Sequence, residues 1–153
     1  MEPTIRPFEP EDRSAVEALA VRLQTGMAPW RDPTALQQAV LGWIASACAE
    51  DSDSDALVAE VDASVVGFVS LSSMPHFAGE TDAYIGELIV DEHAEGRGIG
   101  SALVAAVERL ARDRDIRCIT LHTGAANHRA LDFYERLGYQ AEDVKLTKLL
   151  STA

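Results

Sequence analysis

The sequence has only two cysteines, no metal-type cysteine spacing and no apolar run long enough to span a bilayer. Cys48 and Cys118 stand far apart among apolar neighbours, the usual company of reduced, buried cysteines. A disulfide framework and a Cys-x-x-Cys site are thereby excluded, and no metal is expected. Without about 20 consecutive apolar residues there is no membrane-spanning helix. The start, Met1-Glu2-Pro3-Thr4-Ile5-Arg6, also lacks the basic stretch and apolar core of a secretory leader, so a soluble, cytoplasmic protein is expected. Basic residues are scarce and unevenly placed. Residues 1–95 hold 4 Lys and Arg against 18 Asp and Glu, a net charge of −14, while residues 96–153 hold 9 against 7, a net +2. Such a field repels nucleic acid, leaves one end able to receive an anion and lets the other attract a cation. At 153 residues the chain is expected to form a single domain over 1–153 that buries about two-thirds of its unfolded surface.

The pattern of apolar residues orders the elements. Thr4–Phe8 is a short first strand, and Pro10-Glu11-Asp12 opens a helix that runs to about Gln24, with Val16, Leu19, Ala20 and Leu23 as its buried stripe and Gly26 as its stop. Asp32 caps and Pro33 opens a second helix ending near Glu50. Ala56–Val61 and Val65–Leu71 form a hairpin, a loop spans Ser73–Asp82, and Ala83–Val90 is a third apolar strand after the hairpin's start. A helix over roughly Gly98–Arg114, a strand at Cys118–His122, an amphipathic helix over Asn127–Leu137 and an alternating last strand at Asp143–Leu150 complete the chain. Hairpins first and a strand-helix-strand unit second imply an α/β fold of the α+β type. Its expected form is a mixed, mostly antiparallel sheet of six to seven strands with about four helices on both faces.

The most informative stretch runs from Ile85 through Val90 into Glu95-Gly96-Arg97-Gly98-Ile99-Gly100-Ser101. A buried strand runs into glycines that open a helix, so successive backbone N–H groups and the helix dipole make a site for a pyrophosphate. A P-loop needs Lys-Ser/Thr after its last glycine, and Gly100 is followed by Ser101-Ala102. A dinucleotide fingerprint needs G-x-G-x-x-G, but Gly98 and Gly100 lead to Leu103. The pattern Arg/Gln-x-x-Gly-x-Gly/Ala of acyl-CoA-binding transferases fits everywhere except its first position, which is Glu95.

With the second motif, Asn127-His128-Arg129-Ala130-Leu131-Asp132-Phe133-Tyr134-Glu135-Arg136-Leu137-Gly138-Tyr139, the chain resembles the GNAT superfamily of N-acetyltransferases from about Tyr84 to Tyr139. The resemblance implies acetyl-CoA as co-substrate. Its pyrophosphate would be held by the amides of Gly96, Arg97, Gly98, Ile99, Gly100 and Ser101, and its pantetheine arm by the backbone of Leu88, Ile89 and Val90, one of whose amides would also meet developing negative charge. It further implies Asn127 on the pantetheine amide, Tyr134 as the acid at the departing sulfur, and Arg129 either on a remaining CoA phosphate or in a surface salt bridge. Glu87 and His122 are the candidate bases, each equally able to serve by orienting the loop. Glu95 is expected to turn outward, with Arg97 compensating its charge.

The reaction so implied is direct transfer of acetyl to a primary amine in a ternary complex, and the acidic first segment points to a cationic acceptor, either a small molecule or a peptide amine. The alternative is a non-catalytic acyl-CoA-binding sensor or partner-binding module, for which Glu95 speaks. An exposed carboxy-terminal strand edge would favour a homodimer that covers it.

Overall fold

The computed structural model describes residues 2–151. Strand β1 (Thr4–Pro7) is followed by a 3-10 turn at Pro10–Asp12, helix α1 (Arg13–Leu19) and a 3-10 extension at Ala20–Gln24. Then come α2 (Pro33–Ala47), β2 (Asp55–Val61), β3 (Ser64–Pro75), β4 (Thr81–Val90), a 3-10 turn at Glu92–Ala94, α3 (Ile99–Asp113), β5 (Ile119–Leu121) and α4 (His128–Arg136). The strands lie in the order β1-β2-β3-β4-β5, antiparallel except for the parallel pair β4-β5.

Local chemistry accounts for the ends of these elements. The Asp32 carboxylate accepts from the Ala35 N–H at 3.1 Å, and Pro33 supplies a preset φ with no orphaned donor, so α2 starts where its first two residues direct. Arg6 ties β1 to the start of α1 and to β2, donating to Asp12 at 2.8 and 2.9 Å and to Glu60 at 2.8 Å. The tight turn between β2 and β3 places Asp62 and Ala63 at φ of 50° and 64°.

Two cores sandwich the sheet. On one face Ile99, Leu103, Val107 and Ala111, a four-residue stripe along α3, close on Ala59, Val69, Leu71, Ala83 and Ile85. On the other, Val16 of α1, Ala20 of its 3-10 extension and Val40 and Ile44 of α2 close on Val58, Phe68 and Ile89. Ala83 and Ile85 therefore face α3, yet Ile89, of the same parity, faces α1 and α2. The register explains the switch: Leu71 pairs with Ile85 and Val69 with Leu88, so Gly86 and Glu87 together oppose Ser70 in a β-bulge. A Cβ on Gly86 would lie 2.8 Å from the Ser70 Oγ, which is why the bulge takes glycine there.

The mixed sheet and four helices agree with expectation, but the described residues contain five strands rather than six to seven. The expected last strand at Asp143–Leu150 has no ladder partner among the described residues, and residues 140–151 are all exposed. Alternation of Val144, Leu146 and Leu150 permits a strand but does not provide an edge. β5, only three residues long, offers too few ladder bonds to offset the ordering of eight residues. The expected loop at Ser73–Asp82 is shorter, because Ser73–Pro75 and Thr81–Asp82 extend the hairpin and leave His76–Glu80 as its tip.

Candidate active site

β4 and β5 pair only from Ala83–Ile119 to Ile85–Leu121. Beyond that the strands part, and Leu88, Ile89 and Val90 line a cleft of about 520 Å³ that the glycine loop and α4 complete. Of the candidate cofactor residues, Gly96, Gly98, Ile99, Gly100 and Ser101 line this cleft from the loop, and Asn127, Arg129 and Tyr134 line it from the α4 side. Arg97 is exposed and does not line it.

The loop is built to present donors. Gly96 and Gly98 sit at φ of 78° and 76°, conformations in which a side chain would be strained, and no atom occupies the space a Cβ would take. The first bond of α3 runs from the Ala102 N–H to the Gly98 carbonyl at 3.0 Å. Among the described residues no group accepts from the main-chain N–H of any residue from Gly96 to Ser101. These amides lie at the positive end of a 15-residue helix, an arrangement suited to receiving an anion. Gly100 serves packing instead: its Cβ would lie 3.2 Å from the Phe133 ring, so its absence lets α4 close on α3.

Glu95 does not turn outward. Its carboxylate is gripped by the Arg22 guanidinium from one side and by Arg129 at 2.6 Å from the other, and the Arg22 hydrogen bond holds it below the usual carboxylate range. Arg22 also donates to the Val90 carbonyl, the last of β4. The reason is proximity. The 3-10 extension after α1 brings a guanidinium to the cleft mouth, and a carboxylate beside two cations is better placed facing them than solvent. Of the two readings of Arg129, the structure therefore shows the salt bridge.

Asn127 caps α4, its side chain accepting from the Ala130 N–H at 3.2 Å and donating to the Thr25 carbonyl at 3.4 Å. Behind it Gly26 and Gly124 interlock. The Tyr134 ring meets Phe133 and Tyr139 edge to face, with centroids 5.1 and 5.4 Å away, and Tyr139 anchors itself to Glu108 of α3 at 2.9 Å. The Tyr134 hydroxyl has no hydrogen-bond partner among the described residues, and burial raises its pKa well above that of an ordinary phenol.

Glu87 and His122 do not line the cleft. The bulge turns Glu87 to the face covered by α1 and α2, where it is buried and accepts from the Ser70 hydroxyl, while that hydroxyl in turn accepts from the Glu87 N–H at 3.1 Å. His122, exposed at the end of β5, places its Nδ1 3.1 Å from the Tyr84 hydroxyl. Tyr84 shares the face of Glu87 and feels its charge, while burial is the larger cause of its raised pKa. Tyr84 thus touches one candidate base and feels the charge of the other.

Burial raises the Glu87 pKa, with the Ser70 hydrogen bond opposing in part. A carboxyl raised in the folded state contributes its full stability below the unfolded pKa and loses it as pH rises through the folded value. Glu87→Gln is therefore expected to melt above the parent at pH 8, with the gap closing toward pH 4. Paired thermal melts check this, and a variant that melted lower at pH 8 would show that the ionised carboxylate stabilises the fold.

Arg22, Tyr84, Ser70 and Phe133 were missed from sequence. Arg22 lies on a helix whose pattern advertises only its buried stripe, and Tyr84 and Ser70 become partners through pairing across strands. Only Phe133 carried a signal, its place in the second motif.

The profile of the acetyltransferase (GNAT) family matches residues 15–139. An uncharacterized N-acetyltransferase of Methanocaldococcus jannaschii is 36% identical over 89 residues, which cover 57% of this chain and 39% of that protein. The chain spans less than two-thirds of the length of the curated relatives it matches, 54% and 63% for two N-acetyltransferases of Bacillus subtilis. A transcriptional regulator from Bacillus halodurans C-125 shares the fold at a TM-score of 0.74 and 25% identity, over 97% of this chain and 99% of that one. The PaiA N-acetyltransferase from Thermoplasma acidophilum, solved in complex with coenzyme A, shares it at 0.76 and 19% identity, over 95% and 94%. The family match runs unbroken from α1 through the glycine loop to the end of the second motif, and by it this chain belongs to the acetyltransferase (GNAT) family.

Proposed function

We propose that this chain transfers an acetyl group from acetyl-CoA to a primary amine, by direct attack while both substrates are bound. The observation that carries the reading is the meeting, in one cleft, of unpaired amides from Gly96 to Ser101 with the unpartnered hydroxyl of Tyr134. The amides fit a pyrophosphate, and the parted backbone of Leu88–Val90 fits an extended amide-bearing arm. Asn127 is positioned to hold that arm through the part of its side chain not used in capping. Acetyl-CoA supplies an activated thioester; the rest is the work of this chain.

An amide on Leu88–Val90 aimed at the thioester oxygen stabilises charge that grows there, an effect of about 3 kcal/mol for one donor. Tyr134, its phenol raised by burial, keeps its proton throughout the neutral range and donates a hydrogen bond to the departing sulfur. Full proton transfer is uphill for an ordinary phenol and more so for this one. Across the sheet, Glu87 accepts the amine's proton through water, or His122 does so with its Nδ1 beside the Tyr84 hydroxyl. The acceptor is cationic, drawn by the acidic first segment. Release of CoA thiol across a panel of amines tests the reading, which fails if no amine gives turnover.

The sensor reading has one specific observation in its favour, the two cleft arginines already engaged by Glu95. Freeing them is expected to help an anion. Glu95→Gln should lower the Kd for CoA by about fivefold at low salt, with the gain fading near 0.5 M salt as exposed charges are screened. Calorimetry across a salt series measures it. Weaker binding would mean that Glu95 holds the arginines in their working positions.

A further inference from the structure

Glu80, Asp82 and Cys118 bring one donor atom each, two carboxylate oxygens and a sulfur, to within 4.8 Å of one another. Cysteine spacing predicts no metal, since pairing between strands and not proximity in sequence assembles this group. Glu80 stands at the hairpin tip just before β4, Asp82 lies in β4, and Cys118 immediately precedes β5. The parallel register sets Ala83 opposite Ile119, and the Ala83 N–H donates to the Cys118 carbonyl at 2.9 Å, which fixes Cys118 beside Asp82. Asp82 is only 6% exposed, yet among the described residues no hydrogen bond or ion pair reaches its carboxylate. A buried carboxylate without a partner is costly until a cation joins it. Its oxygens keep a little contact with solvent, so an ion can reach them. The Arg117 guanidinium donates to both Glu80 oxygens at 2.9 and 2.5 Å and feels the charge of Asp82 from beyond ion-pair distance. Arg117 is itself well exposed, and an ion pair of that kind yields readily to a competitor.

We propose that Glu80, Asp82 and Cys118 form a binding site for a divalent cation of the zinc class. A thiolate beside two carboxylates favours zinc or cobalt over magnesium and calcium, which take oxygen donors. Three protein donors at zinc distances of about 2.0–2.3 Å leave a fourth position for water. Donors on one tetrahedral ion lie about 3.5 Å apart, so these three need to converge by little more than about 1 Å. On binding, the Cys118 thiol gives its proton to solvent and Arg117 yields a Glu80 oxygen to the ion. None of the three residues lines the cleft, so the site is separate from the one described above. Its place in the fold is nonetheless telling. β4 and β5 pair only from Ala83–Ile119 to Ile85–Leu121, and an ion on Asp82 and Cys118 pins the closed end of the pair whose other end parts at the cleft.

The test titrates the reduced, metal-stripped chain with Co2+, whose thiolate complexes absorb in the near ultraviolet, and then adds Zn2+. One equivalent of Co2+ should produce the thiolate band, and Zn2+ should remove it by displacement. Cys118→Ser should abolish the band, while Cys48→Ser, which changes the other cysteine of the chain, should leave it intact. Asp82→Asn should weaken Co2+ binding about tenfold or more, since even a partner outside the ligand set commonly costs that much. Zn2+ should also raise the melting temperature of the parent and not that of Asp82→Asn, as expected of a ligand held only by the folded state. Because Asp82 is buried, Glu80→Gln repeats the affinity measurement at the hairpin tip, where the fold is not at stake. Absence of the band in the parent, a band that survives Cys118→Ser, or unchanged Co2+ affinity in either Asp82→Asn or Glu80→Gln would each overturn the proposal.

Discussion

Tyr134→Phe is expected to lower kcat about a hundredfold while leaving the KM for acetyl-CoA within about twofold of the parent, the pattern of a group that acts only as the sulfur departs. The substitution keeps the ring, and so keeps the edge-to-face contacts with Phe133 and Tyr139 that hold α4 in place. It removes a hydroxyl that no other described group uses, leaving no orphaned partner to disturb the fold. The melting temperature should therefore stay close to the parent's, which separates a lost proton donor from a damaged structure. Because the phenol lies well above its ordinary pKa, the parent's activity should show no loss from Tyr134 ionising up to pH 9. Steady-state kinetics of CoA release across pH decide the matter. An unchanged kcat in Tyr134→Phe would assign the proton to another group or to water.

Gly26→Ala is expected to be strongly destabilising. Gly26 sits at φ 79°, where a side chain is strained, and its Cβ would lie 2.8 Å from both the Cα and the N of Asn127. Those are backbone atoms of a helix cap and cannot move aside alone. Gly124 meets the same segment from the other direction, its Cβ placed 2.8 Å from the Gly26 carbonyl carbon. Strain and overpacking together come to about 3 kcal/mol, or a fall in melting temperature of about 9 °C for a chain of this size. Gly79→Ala is the matched control. It has φ 100° but open space around the added carbon, so it should cost only the backbone strain, about 1 kcal/mol. Equal losses at the two positions, measured by thermal melts, would mean that the contact with Asn127 adds nothing. The functional consequence lies in the same contact: a loop forced away from Asn127 breaks its bond to the Thr25 carbonyl and loosens the residue that caps α4 at the cleft.

Local chemistry made much of the site readable in advance. Asp32-Pro33 can hardly avoid starting a helix, the spacing from Ile99 to Ala111 has one apolar face, and Gly96 and Gly98 adopt the left-handed conformations that a donor-lined loop requires. These depend on residues close in sequence, where propensity and period act directly. The misreadings are of another kind. The Asp143–Leu150 stretch alternates correctly but has no edge to join, and Glu95 follows two arginines that reach it from elements 73 residues before and 34 after. Charge and alternation describe what a segment can do and leave open what will stand beside it.

The order of the elements, the left-handed glycines that leave the loop's amides unpaired and the cap at Asn127 were determined by the sequence itself, because each is settled within a few residues of chain. Only the tertiary structure decided that a bulge opposite Ser70 swings Glu87 to the far face, that Arg22 reaches Glu95 at the cleft, and that Tyr84 meets His122. Those facts arise from the register between strands and the approach of distant helices. A one-residue offset in pairing reverses which face a side chain occupies, and no local preference records it.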